Sequence, residues 1–161
     1  MDSSQFFDYG QDPSDSAAHQ EMAFLSGADE ADWKRLIAHC ARVTFRSGDM
    51  VLKQGDQTQA LFIVAKGELE VVQDGGKRGL KRVAGIPAGS VFGEQAFFDG
   101  ASRSASVRAV TDGELLELAA ADFEVLAAHE PRLARAILFD LGRILSLRLR
   151  EMTRILQSTS R

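Results

Sequence analysis

The middle of the chain is a succession of short β-prone runs separated by glycine-containing turns. Between residues 42 and 120, turns such as Ser47-Gly48-Asp49 and Asp74-Gly75-Gly76 follow one another at nearly regular spacing. Glycine supplies the positive φ that tight turns require, and many short strands of this kind favour an antiparallel barrel or jelly roll over a parallel sheet. The predicted strands are 43–45, 50–52, 61–64, 69–72, 80–83, 106–110 and 115–118.

Helical patterns flank this β region. The acids of Asp29-Glu30-Ala31-Asp32 open a helix that continues through Trp33 to Cys40, since negative charge favours a helix N-terminus. After residue 120, Asp122 is predicted to cap a helix over 123–129, and Pro131 is predicted to begin a long helix. The fold class is therefore mainly β with flanking α-helices: an antiparallel β jelly-roll barrel with an N-terminal helix and long C-terminal helices.

The long helix carries an apolar stripe at a three-four repeat. It is interrupted by Arg148 and is formed by Leu138, Leu141, Leu145, Met152 and Ile155. Such a stripe packs either on the barrel or on a second copy of itself. A homodimer through the C-terminal helix is therefore one possible assembly.

Composition excludes several classes of protein. The 161 residues are 45% hydrophobic, enough for one core without disulfides. Apolar runs such as 61–65 fall far short of the roughly 20 residues of a membrane span, and the start Met1-Asp2-Ser3-Ser4 lacks the features of a secretion signal. The single Cys40 excludes an internal disulfide, a cysteine-rich zinc site and a four-thiolate iron–sulfur cluster. We expect a cytoplasmic protein with no membrane contact, no cofactor and no bound metal.

Charge is distributed unevenly along the chain. Residues 1–33 carry eight acids and no Lys or Arg, whereas residues 132–161 carry seven arginines against Asp140 and Glu151. We interpret this uneven charge in one of two ways: the acidic segment balances the basic one, or the basic end meets an acidic partner. Either explains the charge distribution better than nucleic-acid binding does. Residues 1–21 are predicted to be a flexible acidic tail, in which Phe6, Phe7 and Tyr9 are either untethered or a short docking segment.

The chemistry is concentrated in residues 92–107, with the sequence FGEQAFFDGASRSASV. Gly93 permits close backbone approach, and Glu94 to Phe97 can form a helical turn whose free N–H groups suit an anion. Arg103 follows on a loop of small residues, where its guanidinium can grip a phosphate through two hydrogen bonds. The Glu94 carboxylate would repel an anion beside it, so its presence is best explained if it accepts a hydrogen bond from a hydroxyl, such as a ribose 2′-OH. This combination suggests a small nucleotide.

This segment closely resembles the phosphate-binding cassette of cyclic nucleotide-binding domains, F-G-E-x-A-L-x-x-x-x-x-R-[AST]-A-[ST]-V. Gly48-Asp49, Gly55-Asp56 and Gly67, with Phe45 and Phe62-Ile63-Val64 around them, resemble the glycine pattern of the same family's barrel. The likeness covers roughly residues 24–157, and the predicted domain is 22–157, with the barrel over about 42–120 and the C-terminal helices over about 122–157. We call residues 92–107 the cassette.

The resemblance implies roles for individual residues. Glu94 would accept the ribose 2′-OH and Arg103 would pair with the cyclic phosphate. Gly93, Gln95 and Ser104 would complete the phosphate shell, while Val83 and Ala84 would line the sugar and base from the barrel. Arg148 is either a cap on the purine or a solvated helix residue. Ser102 stands where the family often has proline, and Phe97 replaces the usual hinge leucine.

The resemblance also implies a function, a cyclic nucleotide receptor that moves its C-terminal helices on binding. Ser104 is compatible with cGMP but favours cAMP, as in relatives of the bacterial catabolite activator. The chain ends at Arg161 without room for a helix-turn-helix module, so we expect no direct DNA binding and an unknown protein partner. No plausible nucleophile is paired with His19, His39 or His129, and their spacing is not that of metal ligands. We therefore expect the protein not to be an enzyme. The alternatives are a dimerisation module that ignores nucleotides, the sensor half of a longer transcription factor or channel, and a receptor for a cyclic dinucleotide.

Overall fold

The computed structural model describes residues 22–159 and folds the β region into two four-stranded antiparallel sheets. The strands are β1 (Ala41–Phe45), β2 (Met50–Leu52), β3 (Leu61–Lys66), β4 (Leu69–Asp74), β5 (Leu80–Ile86), β6 (Val91–Phe92), β7 (Ser106–Ala109) and β8 (Gly113–Leu118). Their order is β1-β8-β3-β6 in one sheet and β2-β7-β4-β5 in the other. This confirms the predicted antiparallel barrel. The predicted tail, 1–21, lies outside the described residues.

The helices are α1 (Glu30–Ile37), α2 (Glu94–Asp99), α3 (Ala120–His129) and α4 (Pro131–Thr159), with a 3₁₀ turn at Gly76–Arg78. Asp29 caps α1 by accepting a hydrogen bond from the backbone N–H of Asp32, as the acidic opening predicts. Asp122 does not cap α3, because the helix begins earlier and Asp122 lies in its first turn. Within residues 22–159 no helix is long and apolar enough to cross a membrane.

The core lies between the sheets and continues outward to α3 and α4. The apolar run of β3 is buried throughout because β3 is paired on both sides and covered on both faces. Leu126 of α3 and Ile137 and Leu141 of α4 are fully buried in the same cluster. Leu141 therefore belongs to the core and not to an exposed stripe. Of the two packings predicted for the stripe, Leu141 therefore follows the one against the barrel.

The turns between strands rely on glycine where the chain approaches itself. Gly67, between β3 and β4, has a φ of +83°, and a Cβ there would lie 2.5 Å from the carbonyl oxygen of Asp112. No other residue fits this turn without moving the β7–β8 connection. Gly67 thus lets the β3–β4 turn lie directly against the β7–β8 connection.

The described N-terminal segment is fastened to both the barrel and α4. Phe24 is buried against Trp33 with ring centroids 6.2 Å apart, and its N–H donates to the carbonyl oxygen of Gly89. The N–H of Leu25 donates to Oδ2 of Asp140 over 2.6 Å. Residues 24–25 thus hold the first half of α4 in place.

Candidate functional site

A cavity of about 210 Å³ opens under the cassette, between strands β2, β4 and β7 and the short helix α2. Its walls bring together the cassette and one residue of α4. The lining residues are Leu52, Val71, Phe92, Gly93, Glu94, Gln95, Ala96, Arg103, Ser104, Ala105, Val107 and Arg148. All predicted site residues except Val83 and Ala84 are therefore gathered at one place. Their roles toward a ligand stay predictions.

Arg103 is the most constrained polar group of the cavity, with 3% of its surface exposed. It donates from Nε to Oγ1 of Thr58 over 3.0 Å, from Nη1 to the carbonyl oxygen of Gly93 over 2.9 Å, and from Nη2 to that of Ala60 over 2.7 Å. Its guanidinium also lies 5.5 Å from the ring centroid of Phe62. All these partners are neutral, and among residues 22–159 no carboxylate lies within ion-pair distance of it.

The charge of Arg103 is thus held in the wall without a bonded counterion. Burial lowers the pKa of the guanidinium, while the carboxylates of Asp56, Glu94 and Glu117 act in the opposite direction from farther away. An arginine nevertheless stays protonated at neutral pH. The site therefore offers a fixed positive charge, which is the chemistry that binds an anion.

Gly93 is required by this packing. It has a φ of +80°, and a Cβ there would lie 2.7 Å from Nη1 of Arg103 and 3.0 Å from the carbonyl oxygen of Ala60. The backbone of Arg103 is fixed as well, because its N–H donates to the carbonyl oxygen of Asp56 and its carbonyl accepts from Gly55. Backbone hydrogen bonds to Gly55 and Asp56 thus fix the predicted loop of small residues at Arg103.

Glu94 and Arg148 form an ion pair that spans the cavity. Nη1 of Arg148 lies 2.5 Å from Oε1 of Glu94, and Nη2 donates to the carbonyl oxygen of Val91 over 2.6 Å. The Glu94 side chain is almost fully buried, and that of Arg148 is about two-thirds buried. The Arg148 side chain is thus not a solvated helix residue. It joins α4 to the cassette.

Val83 and Ala84 do not line the cavity. Both are on β5, the edge strand of its sheet, and Val83 is 52% exposed. Ala84 pairs with Val71 of β4, and it is Val71, one strand closer to the centre, that faces the cavity. The structure thus separates Val83 and Ala84 from the other predicted site residues, because sequence alone does not say which of two neighbouring strands is central. Their contact with a bound sugar or base stays a prediction.

Aromatic packing connects the cassette to the following helices. Phe97 of α2 contacts Phe123 of α3 edge-to-face, with ring centroids 5.4 Å apart. Phe97 also contacts Phe98 at 5.7 Å. Phe97 thus joins α2 to α3, which precedes α4 with a single residue between them.

Within residues 22–159, the histidines and Cys40 lie outside the cavity under the cassette. Nδ1 of His39 and Nδ1 of His129 each lie within hydrogen-bond distance of a carbonyl oxygen of their own helical turn. Burial, assisted by Asp122, raises the pKa of the Cys40 thiol to about 12, which is the opposite of an activated nucleophile. Within the described range no three His, Cys, Asp or Glu side chains are grouped to hold a metal. His19 lies outside that range.

Sequence comparison agrees with this geometry. A family model described as the cyclic nucleotide-binding domain matches residues 42–130, more than half of the chain. The chain belongs to the cyclic nucleotide-binding domain family. Its barrel is the part that matches, and the match includes the whole cassette.

Two relatives and one solved structure extend the comparison. The chain is 33% identical to Glutaminase 1 of Bradyrhizobium diazoefficiens over 80% of its own length and 20% of that protein. It is 34% identical to the cyclic AMP receptor protein of Thermus thermophilus over 71% of its length and 51% of that protein. The crystal structure of the Thermus thermophilus catabolite activator protein superposes with a TM-score of 0.72 and 31% identity, over 83% of this chain and 61% of that one. The chain thus spans about half or less of these curated relatives.

Proposed function

We propose that the chain is a cyclic nucleotide receptor, selective for cAMP, in which the occupied cavity releases α4 to act on a protein partner. The observation that carries this proposal is Arg103, a buried guanidinium in a cavity wall whose bonded partners are all neutral. Leaving a buried charge without a counterion is costly. An anionic ligand supplies the missing negative charge.

Arg103 has the hydrogen-bond capacity to take a phosphate. A guanidinium has five N–H groups, and the contacts to Thr58, Gly93 and Ala60 use one on each nitrogen. One N–H remains on Nη1 and one on Nη2. A guanidinium with two N–H groups left can bind two phosphate oxygens at once. The exposed Ser104 adds a hydroxyl at the same wall.

Glu94 supplies the recognition of a sugar. An ionised carboxylate only accepts hydrogen bonds, so it repels the phosphate and attracts a hydroxyl donor. A ribose 2′-OH attached to a cyclic phosphate satisfies both wall residues at a short separation. The ligand class that combines these two groups is a cyclic mononucleotide.

In this proposal, binding separates Arg148 from Glu94. Arg148 holds Oε1 of the carboxylate, and the cavity of about 210 Å³ is smaller than the roughly 300–1,000 Å³ of typical ligand sites. A ribose that takes over Glu94 breaks the ion pair and frees the middle of α4. The ligand shifts α4 only to the extent that it binds the released state better. Contact between Phe97 and Phe123 gives the cassette a second route to the same helices.

Ser104 favours cAMP in this proposal. Serine after the phosphate-binding arginine is the arrangement of cAMP-binding relatives of the catabolite activator, and one similar protein is named a cyclic AMP receptor protein. Ser104 can also face a guanine in the manner of the threonine found in cGMP-preferring relatives. The competing ligand is therefore cGMP.

The partner meets the outer part of α4. Leu149, Met152 and Ile155 are each more than half exposed, so this face has apolar surface to bury. The occupant is another protein or a second copy of the chain. The proposal includes neither catalysis nor direct DNA contact.

Calorimetric titration with cAMP and with cGMP tests the receptor function. We expect cAMP to bind more tightly, and Arg103→Ala to lose about 3–5 kcal/mol, which is on the order of 10²- to 10³-fold in affinity. Arg78→Ala is the matched control, because Arg78 is exposed in the 3₁₀ turn away from the cavity. A circular dichroism melt verifies that each variant is folded. Unchanged affinity in folded Arg103→Ala would overturn Arg103 as the phosphate-binding residue. No heat with either nucleotide would overturn the receptor and leave the non-responsive dimerisation module or a receptor for a cyclic dinucleotide.

A further inference from the structure

A groove runs along the first half of α4, away from the nucleotide cavity. It consists of two adjoining hollows of about 340 and 520 Å³ that share the walls Asp32, Leu133, Ala136 and Phe139. Residues 25–28 form the opposite wall. None of these residues lines the cavity under the cassette. We call this feature the α4 groove.

The α4 groove is basic and aromatic at its rim. Phe139 is 73% exposed, and the guanidinium of Arg135 lies 5.6 Å from its ring centroid. Within the described part of the chain, Arg132 and Arg135 form no ion pair. The acids of the groove are engaged, since Asp32 pairs with Arg35 at 3.2 Å and Asp140 with Arg143 at 2.7 Å. The groove thus fits an occupant that carries acids and aromatic rings.

The chain itself contains such a segment. Residues 6–15 hold Phe6, Phe7 and Tyr9 together with Asp8, Asp12 and Asp15, and no Lys or Arg occurs before Lys34. The segment is tethered to the wall of the groove, because no more than ten residues lie between Asp15 and the wall residues Leu25 and Ser26. Ten extended residues reach about 30 Å or more. A short tether of this kind gives an effective concentration on the order of millimolar.

We propose that residues 6–15 bind in the α4 groove, with their aromatic rings against Phe139 and Leu133 and their acids beside Arg132 and Arg135. The proposal is independent of nucleotide binding. It explains the uneven charge of the chain as an attraction between its acidic N-terminal segment and the arginines of α4. It also predicts that this half of α4 is unavailable to acidic partners while the segment is bound.

Paramagnetic relaxation in the full chain tests the proposal. A nitroxide is attached at Ser14→Cys in a Cys40→Ser background, which keeps all three aromatic residues. We expect the amide resonances of residues 132–140 to lose most of their intensity. Adding Arg132→Glu and Arg135→Glu should restore that intensity, and so should replacing Phe6, Phe7 and Tyr9 by serine.

The matched control reverses two other arginines of the same helix. Arg150→Glu with Arg154→Glu changes the net charge equally but lies outside the groove, so the intensity loss should persist. Loss that is uniform, centred elsewhere, or abolished equally by the control would overturn the proposal. A mixture of spin-labelled and isotope-labelled chains identifies the donor molecule. Intensity loss that occurs between molecules would assign the groove to a second copy and contradict binding within one chain.

Discussion

Gly93 links the backbone of the cassette to the position of the Arg103 charge. Gly93→Ala places a Cβ against Nη1 of Arg103 in a left-handed conformation, which costs about 1–3 kcal/mol. Gly48→Ala is the matched control, because Gly48 has a φ of +89° with nothing within 4 Å of the added Cβ. We expect both variants to lower the urea midpoint and only Gly93→Ala to weaken cAMP binding measured by calorimetry. Equal affinity in the two variants would show that the guanidinium position does not matter.

In the proposed mechanism, Arg148 competes with the ligand for Glu94. Hydrogen bonds to charged groups contribute about 1.5–3 kcal/mol, so Arg148→Ala should tighten cAMP binding by on the order of tenfold or more. Arg150→Ala, on the exposed side of the same helix, should leave the affinity unchanged. Fluorescence competition with a labelled cyclic nucleotide measures both. Weaker binding in Arg148→Ala would instead make this residue a cap on the purine and contradict the competition.

The site was predictable from sequence where its residues are close along the chain. Gly93, Glu94, Arg103 and Ser104 occur within one short segment, so their types and spacing identify the cassette. Thr58 and Ala60 escape prediction because one is an ordinary hydroxyl residue and the other contributes only a carbonyl oxygen. The Glu94–Arg148 pair joins positions 54 residues apart, and no local sequence pattern predicts such a contact.

At the scale of elements, α4 is buried against the barrel in one part of its length and exposed in the next. Leu141 is fully buried against the barrel, whereas Leu149 is 65% exposed two turns later. Leu141→Ala should therefore cost about 2–5 kcal/mol of unfolding free energy, and Leu149→Ala should change it by no more than about 0.5 kcal/mol. Urea unfolding followed by circular dichroism measures the difference. Similar losses in both variants would mean that the outer half of α4 packs on the barrel as well.

The elements also show why sequence patterns fail at particular places. Strand β6 has only two residues, Val91 and Phe92, which are too few for an alternation to be recognised. It exists because Phe62 and Ile63 of β3 pair with it and because the Phe62 and Phe92 rings stack 5.1 Å apart. The long helix was predictable from Pro131 onward. Which of its apolar residues face the barrel depends on the angle at which it packs, and that angle is set by tertiary contacts.

At the scale of the whole molecule, we propose that the exposed apolar end of α4 is the surface that responds to nucleotide binding. If a second copy occupies it, sedimentation velocity should show a dimer whose population changes with cAMP. Met152→Glu should then yield a monomer that still binds cAMP, because Met152 does not line the cavity. A monomer at every concentration, with and without cAMP, would exclude a second copy and assign the surface to another protein.

In the proposed receptor, a cyclic nucleotide neutralises Arg103 and displaces Arg148 from Glu94. A crystal structure of the cAMP complex tests it most directly. We expect the phosphate to contact Nη1 and Nη2 of Arg103 and the ribose 2′-OH to donate to Glu94. Arg148 should be withdrawn from Glu94, with a change in the course of α4. A complex in which the Glu94–Arg148 pair stays intact while cAMP occupies another surface would contradict it.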